Sequence, residues 1–165
     1  MNSQTKIVSL TTLTKKLKQH RKDGKKIAFT NGCFDILHFG HISYLERAKK
    51  RNRILVVGLN SDSSIKKIKG PPRPILSQKE RAHILAALAA VDYVTIFNDS
   101  TPYRLIKTIQ PDILIKGADW GDKEVVGSDI VEKNDGRVEL IPYIKNFSTT
   151  SIIQRIIEKS LVCAK

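Results

Sequence analysis

At 165 residues, with 41% hydrophobic and 27% charged positions, the chain has the size and composition of one soluble globular domain with a sizeable core. No apolar run approaches the ~20 residues of a membrane span, the first ten residues lack the apolar centre of a secretory signal, and two cysteines, Cys33 and Cys163, cannot form a disulfide framework; the expected location is cytoplasmic, without a membrane partner. The net charge of +13 invites a nucleic-acid reading, but residues 1–26 alone hold eight Lys/Arg against one Asp and aromatics make up only 6%, with no alternation of basic and aromatic residues, so nucleic acid is not the expected partner.

In chain order, residues 10–22 carry apolar positions at 10, 13 and 17, the spacing of a short amphipathic helix packed on the main body, and Gly24 ends it. Lys26–Thr30 is a short apolar strand, and Asn31-Gly32 a turn signal. Residues 41–51 place Ile42, Leu45 and Ala48 at helical spacing. Arg53–Leu59 is a continuous apolar strand, as expected where both faces are covered. Asn60-Ser61-Asp62 reads as a polar loop, and a second basic group (Lys66, Lys67, Lys69, Arg73) surrounds the loop GPPRP. Ser77 with Glu80 three residues on forms a capping box for a helix running through RAHILAALAA. Asp92–Phe97 is a third strand, Thr101-Pro102 starts a helix, Asp112–Lys116 is a fourth strand and Arg137–Ile141 a fifth. Ser148–Lys159 reads as a helix with Ile152, Ile153, Ile156 and Ile157 as its buried stripe.

Strands alternating with helices predict an α/β, Rossmann-like five-stranded parallel sheet with right-handed crossovers and helices on both faces. The expected organisation is a single domain over 1–165, with 1–25 a helical extension and 26–160 the core. Ligands of such sheets sit beyond the C-terminal strand ends. Four strand ends lead into polar loops, 30–41, 60–62, 117–120 and 142–150, and the fold logic predicts their convergence on one crevice.

Within the first of these loops, FTNGCFDILHFGH (29–41) places a strand, a Gly-containing turn and two histidines three residues apart at a helix start. A helix N-terminus offers unpaired N–H groups and a partial positive charge to phosphates. His38 and His41 lie one turn apart, so both rings reach one phosphate. The N–H groups of Cys33 and Phe34 are placed for a triphosphate, and Gly40 permits close backbone approach. Lys69 and Arg73 occupy a Gly/Pro-rich loop able to close over an anionic substrate. No Cys/His set has zinc-ligand spacing.

The motif His38-Phe39-Gly40-His41, preceded by Asn31-Gly32-Cys33-Phe34-Asp35, resembles the HxGH motif of cytidylyltransferase-like nucleotidyltransferases. Lys69-Gly70, Arg73-Pro74-Ile75, Arg81, Val91-Asp92-Tyr93, the run Pro111 to Trp120, Val126-Gly127 and Phe147-Ser148-Thr149-Thr150 follow in family order, over about residues 8–159. Together they are most similar to the adenylyltransferase domain that makes ADP-heptose from D-glycero-β-D-manno-heptose 1-phosphate, in its stand-alone form without a fused sugar kinase. This resemblance implies a Rossmann-like fold and transfer of AMP from ATP to the sugar phosphate, with pyrophosphate leaving and Mg²⁺ accompanying the nucleotide. The product would serve lipopolysaccharide-type surface polysaccharide synthesis.

The resemblance also implies residue roles. His38, His41, Lys69 and Arg81 would be catalytic, Arg81 by pointing at the phosphates. Asn31, Gly32, Cys33, Phe34, Asp35, Gly40, Lys116, Gly117, Asp119, Trp120, Ser148, Thr149 and Thr150 would bind nucleotide, with Asp119 and Trp120 beside base and ribose and residues 148–150 at the β/γ-phosphates. Asp62 and Arg73 would bind the sugar phosphate, and Asp35 would position a metal or a histidine. No protein residue is assigned directly to metal. Ser148 is a good N-cap on any reading. Relatives are often dimers, which makes a homodimer one expected state, though the residues leave oligomeric state open. They also leave ATP against CTP open. Glycerol-3-phosphate cytidylyltransferase-like, FAD synthetase-like and pantetheine-phosphate adenylyltransferase-like activities are the nearest alternatives. An RNA-binding module is the alternative of another class, and the chain lacks a KMSKS-like loop for it.

Overall fold

The computed structural model describes residues 2–118, 125–142, 144 and 147–163. Five strands, β1 (Lys26–Gly32), β2 (Arg53–Asn60), β3 (Tyr93–Phe97), β4 (Ile113–Gly117) and β5 (Arg137–Ile141), form one sheet in the order β3-β2-β1-β4-β5. Every pairing is parallel. The chain winds from β1 out to β3, then returns to lay β4 on the other side of β1. The loops leaving β1 and β4 therefore diverge, which opens a crevice at the C-terminal edge.

Side-chain alternation along the strands builds two cores. Ala28, Leu55, Val57, Leu59, Ile113 and Ile115 face one side, where α2 (Phe39–Ala48) and α4 (Gln78–Ala87) add Leu45, Ala48, Ala82, Leu85 and Ala86. Ile27, Phe29, Ile54, Val56 and Leu114 face the other, covered by Leu13 and Leu17 of α1 (Leu10–Lys22), by Leu105, Ile106 and Ile109 of α5 (Tyr103–Ile109), and by Val131 of α6 (Ser128–Lys133). Covered on both faces and paired on both edges, β2 is buried along its whole length, which explains its unbroken apolar run. At Gly58 a Cβ would sit 2.8 Å from the Phe29 ring and 3.0 Å from Leu105, so glycine lets α5 close on the sheet.

The helix predicted over 10–22 is α1, and the Ser77–Glu80 capping box is formed in both directions. The N-terminal segment is built into the body: Val8 N donates to Val94 O at the edge of the sheet, and Lys6 Nζ to Leu88 O. Two α-helices were not anticipated. Residues expected to form loop after Asn60 fold as α3 (Asp62–Lys69), and residues after Gly127 as α6. Lys69 thus ends a helix instead of lying in the Gly/Pro-rich loop.

The last helix, α7 (Thr149–Cys163), starts where expected, with Ser151 N donating to Ser148 Oγ at 3.1 Å. Its apolar stripe is not buried as predicted. Ile152 and Ile153 are part-buried, whereas Ile156 and Ile157 are 56% and 54% exposed. The neighbouring strand, β5, lies at the sheet edge, and its Leu140 is likewise exposed. No helix among the described residues is long and apolar enough to cross a membrane.

Candidate active site

The loop between β1 and α2 is tightly wound. Phe34 (φ 45) and Ile36 (φ 49) both adopt left-handed backbone that bulky and β-branched residues avoid. The loop delivers His38 to the position before α2, where its side chain makes no capping bond, and leaves His41 one turn on. The two rings stack with centroids 3.8 Å apart and planes 19° apart, and Phe34 packs on His41 at 5.3 Å. Both Nδ1 atoms are buried without a hydrogen-bond partner. Gly40 makes room for this packing: a Cβ there would lie 3.1 Å from both the His38 ring and Phe147 Cβ, closer than ordinary van der Waals contact.

Burial pushes the His41 imidazole down to about 4, helped by the positive charges of His38 and Lys69 and opposed by Asp35. Burial also lowers His38. Both rings are therefore neutral at pH 7, each with one N–H to donate. A folded-state value below the ordinary 6.5 means that unfolding takes up protons. Stability is then full above pH 6.5 and falls as pH drops from 6.5 towards 4, on the order of 1–3 kcal/mol for the part-buried His41. Denaturant midpoints across that window should slope in the wild type and flatten in His41→Gln; equal slopes would remove His41 as the cause.

Around the histidines, a cleft of about 650 Å³ lies over the C-terminal strand ends. It brings together Asn31, Gly32, Cys33, Phe34, Asp35, His38, Gly40, His41, Lys69, Arg73, Lys116, Gly117, Ser148, Thr149 and Thr150, fifteen of the residues singled out in the sequence. Lys116 Nζ donates to Asn31 Oδ1, linking β4 to β1 at the switch point. Burial raises the Cys33 thiol, against the pull of Lys69, Arg81 and Arg73, which leaves it a poor nucleophile. Asp119 and Trp120 lie outside the described residues.

Two expectations need correction, those for Arg81 and Asp62, and two others, for Asp35 and Arg73, gain a structural setting. Asp35, 1% exposed, lines the cleft with its carboxylate bonded to donors of the protein itself. Its Oδ2 accepts from Arg73 Nε (2.9 Å), Arg73 Nη2 (2.7 Å) and Ile75 N (2.9 Å), and its Oδ1 from Leu76 N (3.0 Å). Its carbonyl accepts from Thr149 Oγ1 at 2.7 Å. Asp35 is a staple joining the β1 loop, the basic loop and the start of α7. Arg73 consequently lines the cleft as an ion pair, with its charge offset by Asp35.

Arg81, expected to point at the phosphates, is 0% exposed and does not line the cleft. It donates to Leu76 O (3.0 Å), Cys33 O (2.6 Å), Asn60 O (2.9 Å) and Asp62 Oδ1 (2.7 Å), using four of its five N–H groups. Asp62, expected at the sugar phosphate, is likewise outside the cleft, its carboxylate held by Arg81.

Asn60 and Phe147, from strand-end loops expected to converge here, and Val126, from a motif of the resemblance, also line the cleft, together with Tyr44, Ile68, Ser100, Thr101 and Pro102, which were not anticipated. The loop after β3 follows the same strand-end rule as the other four and was legible by it. Tyr44 sits one turn beyond His41 on α2, and its OH pairs with Thr30 Oγ1 at 2.8 Å. Among the described residues no cluster of three or more His, Cys, Asp or Glu forms a metal cage. The lining acid, Asp35, is neutralised, while Lys69 and Lys116 bring positive charge, so the cleft suits a polyanion.

Comparison with known proteins agrees with this geometry. The family profile described as Cytidylyltransferase-like matches residues 29–155. The chain is 54% identical over 143 residues to the "Bifunctional protein HldE" of Syntrophotalea carbinolica, covering 87% of this chain and 29% of that one. It is 50% identical over 155 residues to the protein of the same name from Geotalea uraniireducens, covering 94% and 32%. The chain thus spans about a third of the length of the curated relatives it matches. Among solved structures, the lipopolysaccharide core biosynthesis protein from Thermoplasma volcanium superposes with a TM-score of 0.58 at 27% identity, covering 74% of this chain and 98% of the other. Pantoate-beta-alanine ligase from Francisella tularensis, at 17% identity and a TM-score of 0.54, shares the fold. The strand order, the HxGH loop and the profile match together establish that the chain belongs to the cytidylyltransferase-like family.

Proposed function

We propose that the chain is a nucleotidyltransferase that moves AMP from ATP to D-glycero-β-D-manno-heptose 1-phosphate, releasing pyrophosphate and forming ADP-heptose for surface polysaccharide synthesis. The observation that carries the reading is the stacked, neutral His38–His41 pair at the centre of a cationic cleft. Identity of about 50% to HldE proteins supports the choice of acceptor.

The attacking phosphate oxygen is already ionised at neutral pH, so no general base is needed. What the reaction needs is two polyanions held in line and donors for the charge that builds on the α-phosphate. Neutral imidazoles suit that role: each gives one N–H and accepts no proton from the nucleophile. Lys69 supplies charge at the cleft edge, and the free N–H groups at the start of the 15-residue α7, beside Ser148, Thr149 and Thr150, take the β/γ-phosphates. Asn31, Lys116 and Gly117 line the nucleotide half, and the N–H groups of Cys33 and Phe34 face the triphosphate. Mg²⁺ would accompany ATP and offset the charge of its phosphates; with Asp35 paired to Arg73, the described residues form no carboxylate cage for it.

Pyrophosphate release tests this reading directly. ATP and CTP are each paired with heptose 1-phosphate, glycerol 3-phosphate, FMN and phosphopantetheine. ATP with heptose 1-phosphate is expected to give the highest kcat/KM. Turnover with another pair and none with this one would reassign the substrate, and steeply salt-dependent RNA binding without pyrophosphate release would replace the enzyme reading.

A further inference from the structure

One wall of the cleft has no role in the scheme above. The loop after β3 places Ser100 and Thr101 on the cleft edge, with Pro102 beneath them. Ser and Thr before a helix ordinarily cap it. Here α5 begins at Tyr103 with Pro102 preceding it and no side-chain cap, and no bond within the described structure uses either hydroxyl. Yet the loop is held from behind by a buried relay. Asn60 Nδ2 donates to Ser64 Oγ (2.9 Å), Ser64 Oγ donates to Asp99 O (2.8 Å), and Ser61 N donates to Phe97 O (2.9 Å). A fully buried serine thus orients an exposed segment whose two hydroxyls are left for something outside the protein.

The sheet order says which substrate that is. In the reaction proposed above, the nucleotide half of the cleft is formed by β1, β4 and the start of α7. The loops after β2 and β3 lie on the other side of β1, and two strand spacings put the β3 end about 10 Å from the β1 end. Between them the end of α3 contributes the exposed ammonium of Lys69 and the apolar side chain of Ile68. A cation, an apolar side chain and two unpartnered hydroxyls lining one cleft match a phosphate, a ring face and ring hydroxyls.

We infer that Ser100 and Thr101 form the wall that recognises the hydroxyl groups of a polyhydroxylated sugar-phosphate acceptor, with Lys69 taking its phosphate and Ser64 acting as the positioning residue behind the wall. The inference rests on the nucleotidyl-transfer reading and replaces Asp62 and Arg73 as the acceptor's contacts.

Its test is steady-state kinetics with saturating ATP and varied heptose 1-phosphate. The double variant Ser100→Ala, Thr101→Val is expected to raise the acceptor KM about tenfold, the loss of two hydrogen bonds of ordinary net strength, with the ATP KM within twofold and the melting temperature unchanged. Ser64→Ala should raise the acceptor KM alone by a smaller factor. An acceptor KM unchanged in the double variant, or equal rises in both KM values, would overturn the inference while leaving the reaction standing. No turnover of any sugar 1-phosphate by the wild type would instead remove the sugar-phosphate acceptor from the proposed reaction, and this inference with it.

Discussion

His41→Ala is expected to lower kcat by about 10²–10³-fold while leaving the KM for ATP within about threefold. The loss falls on kcat because the donor matters most when charge accumulates on the α-phosphate, and little before. The ring's environment supports this division. It is held neutral by burial, stacked on His38 and packed against Phe34, so its donor is oriented in advance. A ring with a value of about 4 is also a poor proton acceptor at pH 7, which separates it from a general base. Single-turnover measurement of pyrophosphate release isolates the chemical step. A rate within twofold of wild type would remove His41 from the reaction, and a rise in KM alone would move it to ground-state binding.

The histidine pair was legible because its spacing, its Gly-containing approach and its place after an apolar strand all point to one anion site. The strands were legible for a similar reason: a sheet covered on both faces leaves runs such as Arg53–Asn60 with no other reading. α3 was missed because it is only eight residues long and Lys-rich, with one isoleucine buried (Ile65) and the other exposed (Ile68), although its amphipathic spacing and its ends both marked it. Ser61 Oγ accepts from Ser64 N, lysines fill the last turn, and Gly70 ends it at φ 90. α7 shows a different limit. Its isoleucines predict an amphipathic helix correctly, but periodicity does not say whether anything lies opposite the stripe. Asp35 and Arg81 show the sharpest one. A charged residue near a phosphate site reads the same in sequence whether it meets the substrate or fastens the loops that do. Only the partners, Arg73 and two backbone N–H groups for Asp35, three carbonyls and a carboxylate for Arg81, separate the two roles.

The same partners make Arg81 the residue with the largest expected effect on stability. Arg81→Ala should cost about 3–5 kcal/mol, the usual price of breaking a buried charged network, in a domain whose total stability is on the order of 5–15 kcal/mol. The guanidinium is the common anchor of the β1 end (Cys33 O), the β2 end (Asn60 O) and the approach to α4 (Leu76 O), and it holds Asp62 at the start of α3. Removing it leaves three carbonyl acceptors to find water in a packed interior, each at about 1–3 kcal/mol if they fail. Arg81→Lys should recover little, because one ammonium cannot span a fork of four acceptors. The kinetic signature differs from that of His41→Ala. Loosening three loops at once raises both substrate KM values and lowers the denaturation midpoint together, whereas a phosphate ligand would raise the ATP KM at constant stability. Urea midpoints with ATP and acceptor KM values for Arg81→Ala and Arg81→Lys decide between them, and an unchanged midpoint with a selective rise in ATP KM would return Arg81 to the cleft.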